Sequence, residues 1–86
     1  SAALDLGPRG VRVNAVCPGP VEGRMMSALE GRIDPDRGRE MVLSTVPLGR
    51  YTTAAEIVST VAFLLSHEAG YATGAVFPLD GGQTSR

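Results

Sequence analysis

The apolar residues of this chain fall into short ordered stretches punctuated by glycine and proline. Ser1 to Leu6 reads as the last turns of a helix, closed by Gly7 as a left-handed cap and by Pro8, which cannot continue the hydrogen-bond ladder. Val11 to Cys17 is β-branched at 11, 13 and 16 and bounded by glycine and proline, which predicts a strand. Its near-continuous apolarity suits a parallel strand covered on both faces. Pro18-Gly19-Pro20 ends that strand, because a residue without a backbone N–H cannot extend a ladder. Residues 22–46 are charged and carry Met25, Met26 and Met41, with a single clear helix start: Asp34 as N-cap, Pro35 at the first helical position and Asp36 at the positive end of the dipole. A short helix to about Thr45 follows, weakened by Gly38.

Pro47-Leu48-Gly49-Arg50 predicts a bend. Thr53 and Glu56 then form a capping box before an apolar run, with a helix to about His67. Ile57, Val58, Val61, Ala62 and Leu65 form its apolar stripe, and Phe63 and Leu64 broaden it, so the helix needs contacts on more than one side. Gly70 and Gly74 bracket a turn, and Ala75 to Leu79 predicts a second strand, placed at a sheet edge by Pro78 and ending in Asp80-Gly81-Gly82. Strand, helical crossover, strand is a β-α-β unit with parallel strands and a right-handed connection. Two parallel strands are too few to stand alone, so further strands are expected from an N-terminal remainder of the same protein or from a partner chain. A start at Ser1 within a helical pattern favours the first.

Composition narrows the classes of function. The 86 residues make at most one small domain, 43% hydrophobic and 20% charged, a globular balance. Eight Lys+Arg against nine Asp+Glu leave a net charge of -1 and no basic stripe, which argues against nucleic acid. The longest apolar run, Val61 to Leu65, is far short of the roughly 20 residues that span a bilayer, and the expectation is a cytoplasmic protein with no membrane partner. Cys17 is the single cysteine, so no internal disulfide forms, and no Cys/His cluster has metal-ligand spacing.

In an open parallel α/β sheet, ligands bind beyond the carboxyl ends of the strands. Here that segment is Pro18-Gly19-Pro20-Val21. Gly19 would let a flat ligand approach the backbone and the prolines stiffen the loop, yet a plain strand-terminating turn would use the same residues.

Four ordered blocks carry a resemblance. Val11-Arg12-Val13-Asn14-Ala15-Val16-Cys17-Pro18-Gly19-Pro20-Val21 resembles a signature of the short-chain dehydrogenase/reductase family. Pro47-Leu48-Gly49-Arg50 with Glu56-Ile57, Ala62 to Ser66, and Gly74 through Asp80-Gly81-Gly82 resemble three later segments. The match implies an α/β fold in which residues 1–86 are the C-terminal segment of one Rossmann-type domain, a doubly wound parallel sheet, here two strands plus lid and crossover helices. It implies hydride transfer between NAD or NADP and a small carbonyl or alcohol substrate, in a homo-oligomer, a tetramer by the family's habit. Pro18, Gly19, Pro20, Val21 and Gly23 are the implied cofactor-binding residues, with the Val21 backbone bonding the nicotinamide carboxamide. The family's usual threonine stands as Gly23, which removes one hydroxyl contact. No catalytic residue is implied within the chain, since neither Tyr51 nor Tyr71 is followed by the family's lysine. Residues isolated from the remainder are expected to be inactive.

Residues 22–46 occupy the family's substrate-lid position, and such lids exclude water around hydride transfer. Each methionine there is read first as packing the lid onto the body and second as an adaptable pocket wall. Arg24, Arg32, Arg37 and Arg39 could bind an acidic substrate, but they are interleaved with Glu22, Glu30, Asp34, Asp36 and Glu40, the pattern of an ordinary solvated surface. Cys17 reads as a small buried hydrophobe, His67 as a complement to a helix C-terminus, Asn14 as a partner of backbone beside the strand, Asp80 as part of a turn, and Arg50–Glu56 as an ion pair. The alternative function is a non-catalytic interaction module built on the broad apolar helix and the edge strand.

Overall fold

The computed structural model describes residues 1–85. Ser1 caps α1 (Ala2–Leu6) through a hydrogen bond from Leu4 N, and a 3-10 turn over Gly7–Arg9 follows. The left-handed residue is Gly10 (φ 78°), not Gly7, which is right-handed helical. Pro8 accounts for the difference: it fits the first turn of the 3-10 helix, where its missing N–H costs no bond, and the reversal moves downstream.

The first strand is shorter than its apolar pattern. β1 spans Ala15–Pro18 and β2 spans Val76–Leu79; they pair in parallel with Ala15 opposite Val76 and Pro18 opposite Leu79. Residues 11–14 are fastened by two backbone bonds, Val11 N to Leu6 O (3.2 Å) and Gly74 N to Val13 O (2.7 Å), and otherwise through side chains. Val13 N donates to Thr73 Oγ1 (3.1 Å), and Asn14 donates to Ala72 O (2.9 Å) while accepting from Ala75 N (3.2 Å). Arg12 spreads its guanidinium over Ala72 O (3.1 Å) and Ser66 O (3.2 Å). Asn14 thus holds the backbone role read for it. Pro18 is the last residue of the strand, and the ladder runs one bond further, from Gly19 N to Leu79 O (2.9 Å). On β2, Ala75 O and Leu79 O face β1, so alternation turns the nitrogen of Pro78 away and its missing N–H costs nothing.

Between the strands lie three helices: α2 (Arg24–Ile33), α3 (Gly38–Leu43) and α4 (Ala54–Leu65). Asp34 is the C-cap of α2 and not the N-cap of the next helix; its carboxylate accepts from Asp36 N (2.9 Å) and Arg37 N (3.0 Å) in the turn, and α3 starts only at Gly38. Gly38, read as a weakness, is where the helices cross. It is buried, and a Cβ there would lie 1.9 Å from Glu30 O. α4 has the capping box in full, Thr53 Oγ1 accepting from Glu56 N (3.2 Å) and Glu56 Oε1 accepting from Thr53 N (3.1 Å). It stops at Leu65, so His67 opens a separate 3-10 turn, His67–Ala69, past the helix end that it was expected to complement.

Leu64 is the buried residue of α4, while Leu65, placed on the stripe by the sequence, is 79% exposed. The inward face is therefore Ile57, Thr60 and Leu64, turned slightly from the expected stripe, and Val58 and Phe63 lie exposed. Only Val46, Tyr51, Leu64 and Ala69 form a buried apolar core among the described residues. Cys17 is exposed, contrary to the expectation of a buried hydrophobe, because it shares a sheet face with Ala15, Val76 and Pro78 that nothing in the chain covers. The radius of gyration is 16.1 Å, against about 12 Å for a compact chain of this length. The accessible surface is 6272 Å², against about 4,800 Å² for a compact protein of this mass.

Candidate functional site

The elbow after β1 is shaped by a single-residue bridge. Thr52 N donates to Pro20 O (3.1 Å) and Glu22 N donates to Thr52 O (2.9 Å), which pairs Val21 with Thr52 in parallel. In such a pairing the flanking residues make the bonds and the central residue's own groups face the other way. The N–H and C=O of Val21 accordingly point away from Thr52, and among the described residues neither has a hydrogen-bond partner.

Gly19 is required by a close approach inside the protein. A Cβ there would meet Asp80 Cβ at 2.7 Å and Asp80 Cα at 2.8 Å. Asp80 is itself fixed, accepting from Gly82 N (3.1 Å), Thr84 N (3.1 Å) and Thr84 Oγ1 (2.6 Å). These bonds, the Thr84 hydroxyl first, hold its carboxyl below the usual range. Asp80 is the turn residue it was read to be. The carboxyl ends of both strands are thus locked together, and the elbow is set on a rigid base.

Above the elbow lies α2. Met25, Ala28, Leu29 and Arg32 stand at i, i+3, i+4 and i+7, one helical face. With Met26, Gly19 and Val21 they line a cavity of about 480 Å³. Of the residues singled out beforehand, Gly19 and Val21 are brought into this cavity; Pro18 and Pro20 flank it in the chain, and Gly23 is the N-cap of α2. Gly23 has φ 155° and ψ -177°, a conformation nearly reserved for glycine, so a threonine here would be strained. A larger cavity, about 600 Å³, opens on the other side, between α4 and the end of β2, where Pro20, Thr52, Thr60 and Asp80 line it. Neither Gly19 nor Val21 lines it, though Pro20 does.

Sequence reasoning missed the contacts that hold α2 and α3 in place. The Tyr51 hydroxyl donates to the Glu30 carboxylate, and the Arg39 guanidinium stacks over the Tyr51 ring, 4.6 Å from its centroid. Arg39 also forks onto Glu22 (3.1 and 3.3 Å) and lies 3.8 Å from Glu30. Burial first, and the Glu30 hydrogen bond second, push the Tyr51 phenol up to about 12. That leaves Tyr51 a structural phenol, engaged below the lid. No local spacing announces the contact, since Glu30 and Tyr51 are 21 positions apart. Arg50 and Glu56 form the expected pair, bidentate at 2.8 Å for both bonds. Arg50 and then the Thr53 N–H hold the Glu56 carboxyl down to about 2. Among the described residues no group of three or more His, Cys, Asp or Glu could hold a metal ion, and no helix is long and apolar enough to cross a membrane.

These elements define the class: α/β, a part of a Rossmann-type fold with two parallel strands joined by helices. The family model for enoyl-(acyl carrier protein) reductase matches residues 1–84, and the chain belongs to the short-chain dehydrogenase/reductase family. It is 48% identical over 85 residues to the short-chain dehydrogenase virB of Hypocrea virens, covering 98% of this chain and 33% of that one. Among solved structures it is similar to a putative 2-deoxy-d-gluconate 3-dehydrogenase of Agrobacterium tumefaciens with bound NADP. The TM-score is 0.85 at 33% identity, over 98% of this chain and 33% of that one. A 4-hydroxyisoleucine dehydrogenase complexed with NADH superposes with TM-score 0.86 at 27% identity, over 98% of this chain and 33% of that one. The chain spans about a third of the length of the curated relatives it matches. Those relatives are named as dehydrogenases and reductases.

Proposed function

We propose that residues 1–86 are the nicotinamide-side loop and substrate lid of an NAD(P)-dependent oxidoreductase that moves hydride between the cofactor and a carbonyl or alcohol. The observation that carries this reading is the Val21 backbone: an unpaired donor and an unpaired acceptor, adjacent in one residue that lines a cavity beside α2. A carboxamide presents the complementary acceptor and donor, and an elbow fastened by Gly19–Asp80 packing and the Thr52 bridge would hold the ring plane without reorganising. Pro18, Gly19, Pro20, Val21 and Gly23 form the cofactor-binding loop on this reading. When bound, the nicotinamide supplies or accepts the hydride. The lid, residues 22–46, closes over the reacting atoms and keeps water out. Proton transfer falls to groups in the N-terminal remainder of the protein, so residues 1–86 alone have no turnover.

A second role is favoured by the exposed apolar residues of α4 and β2. Val58 (64% exposed), Leu65 (79%) and Val76 (63%) suit contacts with the remainder of the domain and with further copies in a cytoplasmic homotetramer. Association and catalysis then use different faces of one segment.

The test is Val21→Pro in the full-length protein, which removes the N–H, with Val21→Ala as the variant that keeps it. The expected result is a KM for NADH or NADPH raised about tenfold by the proline and little changed by the alanine, the worth of one hydrogen bond. Equal cofactor KM values in the two variants would refute the assignment.

A further inference from the structure

The lid cavity is apolar on all sides but one. Met25, Met26, Ala28 and Leu29 form its wall, and Arg32 is its only charged lining residue among those described. The other lid cations are not equivalent. Arg39 is committed to Glu22 and Glu30, and Arg37 to Glu40 at 3.4 Å. Arg32 has no carboxylate within 4.0 Å among the described residues, and its face of α2 points into the cavity. The nearby acids cannot neutralise it cheaply: Glu30 is held by Tyr51, Glu22 by Arg39, and Asp34 by the N–H groups of Asp36 and Arg37. Arg24, also without an ion pair, lies outside the cavity lining.

Resting on the functional reading above, we infer that Arg32 is a specificity-determining residue and that the substrate is an apolar carbonyl compound with an anionic group at its far end. Arg32 lies seven positions along α2 from Met25, about 10 Å of helix. The reacting carbonyl sits at the Val21 elbow, the apolar body lies against Met25, Met26 and Leu29, and the anion reaches the guanidinium at the C-terminal end of the helix. A guanidinium beside an apolar wall binds a carboxylate, sulfonate or phosphate with a planar fork of donors. The negative end of the α2 dipole is near Arg32, which keeps the cation in place when no anion is bound.

The experiment uses the full-length protein and two probes that differ only in charge: an oxo-octanoate with its ketone beside the terminal methyl group, and the methyl ester of the same acid. The wild type is expected to prefer the acid by about tenfold in kcat/KM, mostly through KM, with the preference abolished by Arg32→Met and partly kept by Arg32→Lys. Arg37→Met, an exposed lid cation outside the cavity, is expected to leave the preference intact. Reduction of both probes with equal kcat/KM, or an acid preference that survives Arg32→Met, overturns the inference while leaving the oxidoreductase reading standing. Failure to reduce either probe or any simple ketone with NADH or NADPH overturns that reading and the inference with it.

Discussion

Gly19→Ala puts the elbow to its most direct test. The added Cβ would sit 2.7 Å from Asp80 Cβ and 2.8 Å from Asp80 Cα, against 3.4 Å where ordinary contact begins, so the two strand ends must part by about 0.7 Å. Neither side yields easily. Asp80 is tied by three hydrogen bonds from Gly82 and Thr84, and Gly19 is tied to Leu79 by the last bond of the ladder at 2.9 Å. Overpacking of this kind costs about 1–3 kcal/mol. In a domain of the relatives' size that lowers Tm by about 2–10 °C. A functional cost accompanies it, because on the proposed function the displaced backbone orients the ring; a misplacement approaching 1 Å then lowers kcat by about ten- to a hundredfold. Thermal unfolding followed by circular dichroism, with steady-state kinetics on the full-length variant, reads both effects. Unchanged Tm and unchanged kcat would show that the strand ends are soft, and the rigid-base argument would fail.

The remaining predictions concern the anchors of the lid and the crossover helix. Thr53→Ala removes the capping hydroxyl of α4 and is expected to cost about 1 kcal/mol, measured by urea denaturation; a loss below a few tenths would mean the cap is redundant. Tyr51→Phe keeps the ring under Arg39 but deletes the hydroxyl bond to Glu30, a loss of about 1–3 kcal/mol that should appear as faster amide exchange in α2 and α3 with α4 unaffected. Glu56, held down to about 2 from an ordinary 4.5, adds stability that is fully present above pH 4.5 and lost as pH falls toward 2. Tm should therefore drop less between pH 5 and pH 3 in Glu56→Gln than in wild type, and an equal drop would contradict the pairing with Arg50.

What was legible in the sequence was local. Thr53 and Glu56 stand three apart, and their capping box is in place; Pro78 announced an edge strand; the Pro-Gly elbow announced where β1 ends. The misreadings come from contacts that spacing does not encode. Val11 to Asn14 carry strand residues, yet beyond one backbone bond, Gly74 N to Val13 O, their links to Ala72 and Thr73 run through side chains, too few backbone bonds for a ladder. α2 went unread because its N-cap is Gly23, which has no side chain to cap with, and its stripe of Met25, Leu29 and Ile33 is set among charges. Asp34 offered a true local signal, a carboxylate ahead of two N–H groups, but it closes a turn before α3 begins. Gly38 looked like a helix breaker because the residue it must clear, Glu30, is on another helix.

Four consecutive residues join everything the site depends on. Arg50 pairs with Glu56 of α4, Tyr51 anchors α2 through Glu30 and supports Arg39 of α3, Thr52 bridges the Val21 elbow, and Thr53 caps α4. These bonds reach α2, α3, α4 and the elbow, and adjacent backbone links them. Arg39 closes the circuit, since its second partner, Glu22, directly follows the elbow residue Val21. A helical pair held through such a junction does not move independently of the loop beneath it. On the proposed function, in which residues 22–46 are the substrate lid, motion that opens the cavity must loosen the Glu22–Arg39–Tyr51 contacts, and lid closure and cofactor orientation are then coupled through a few named bonds.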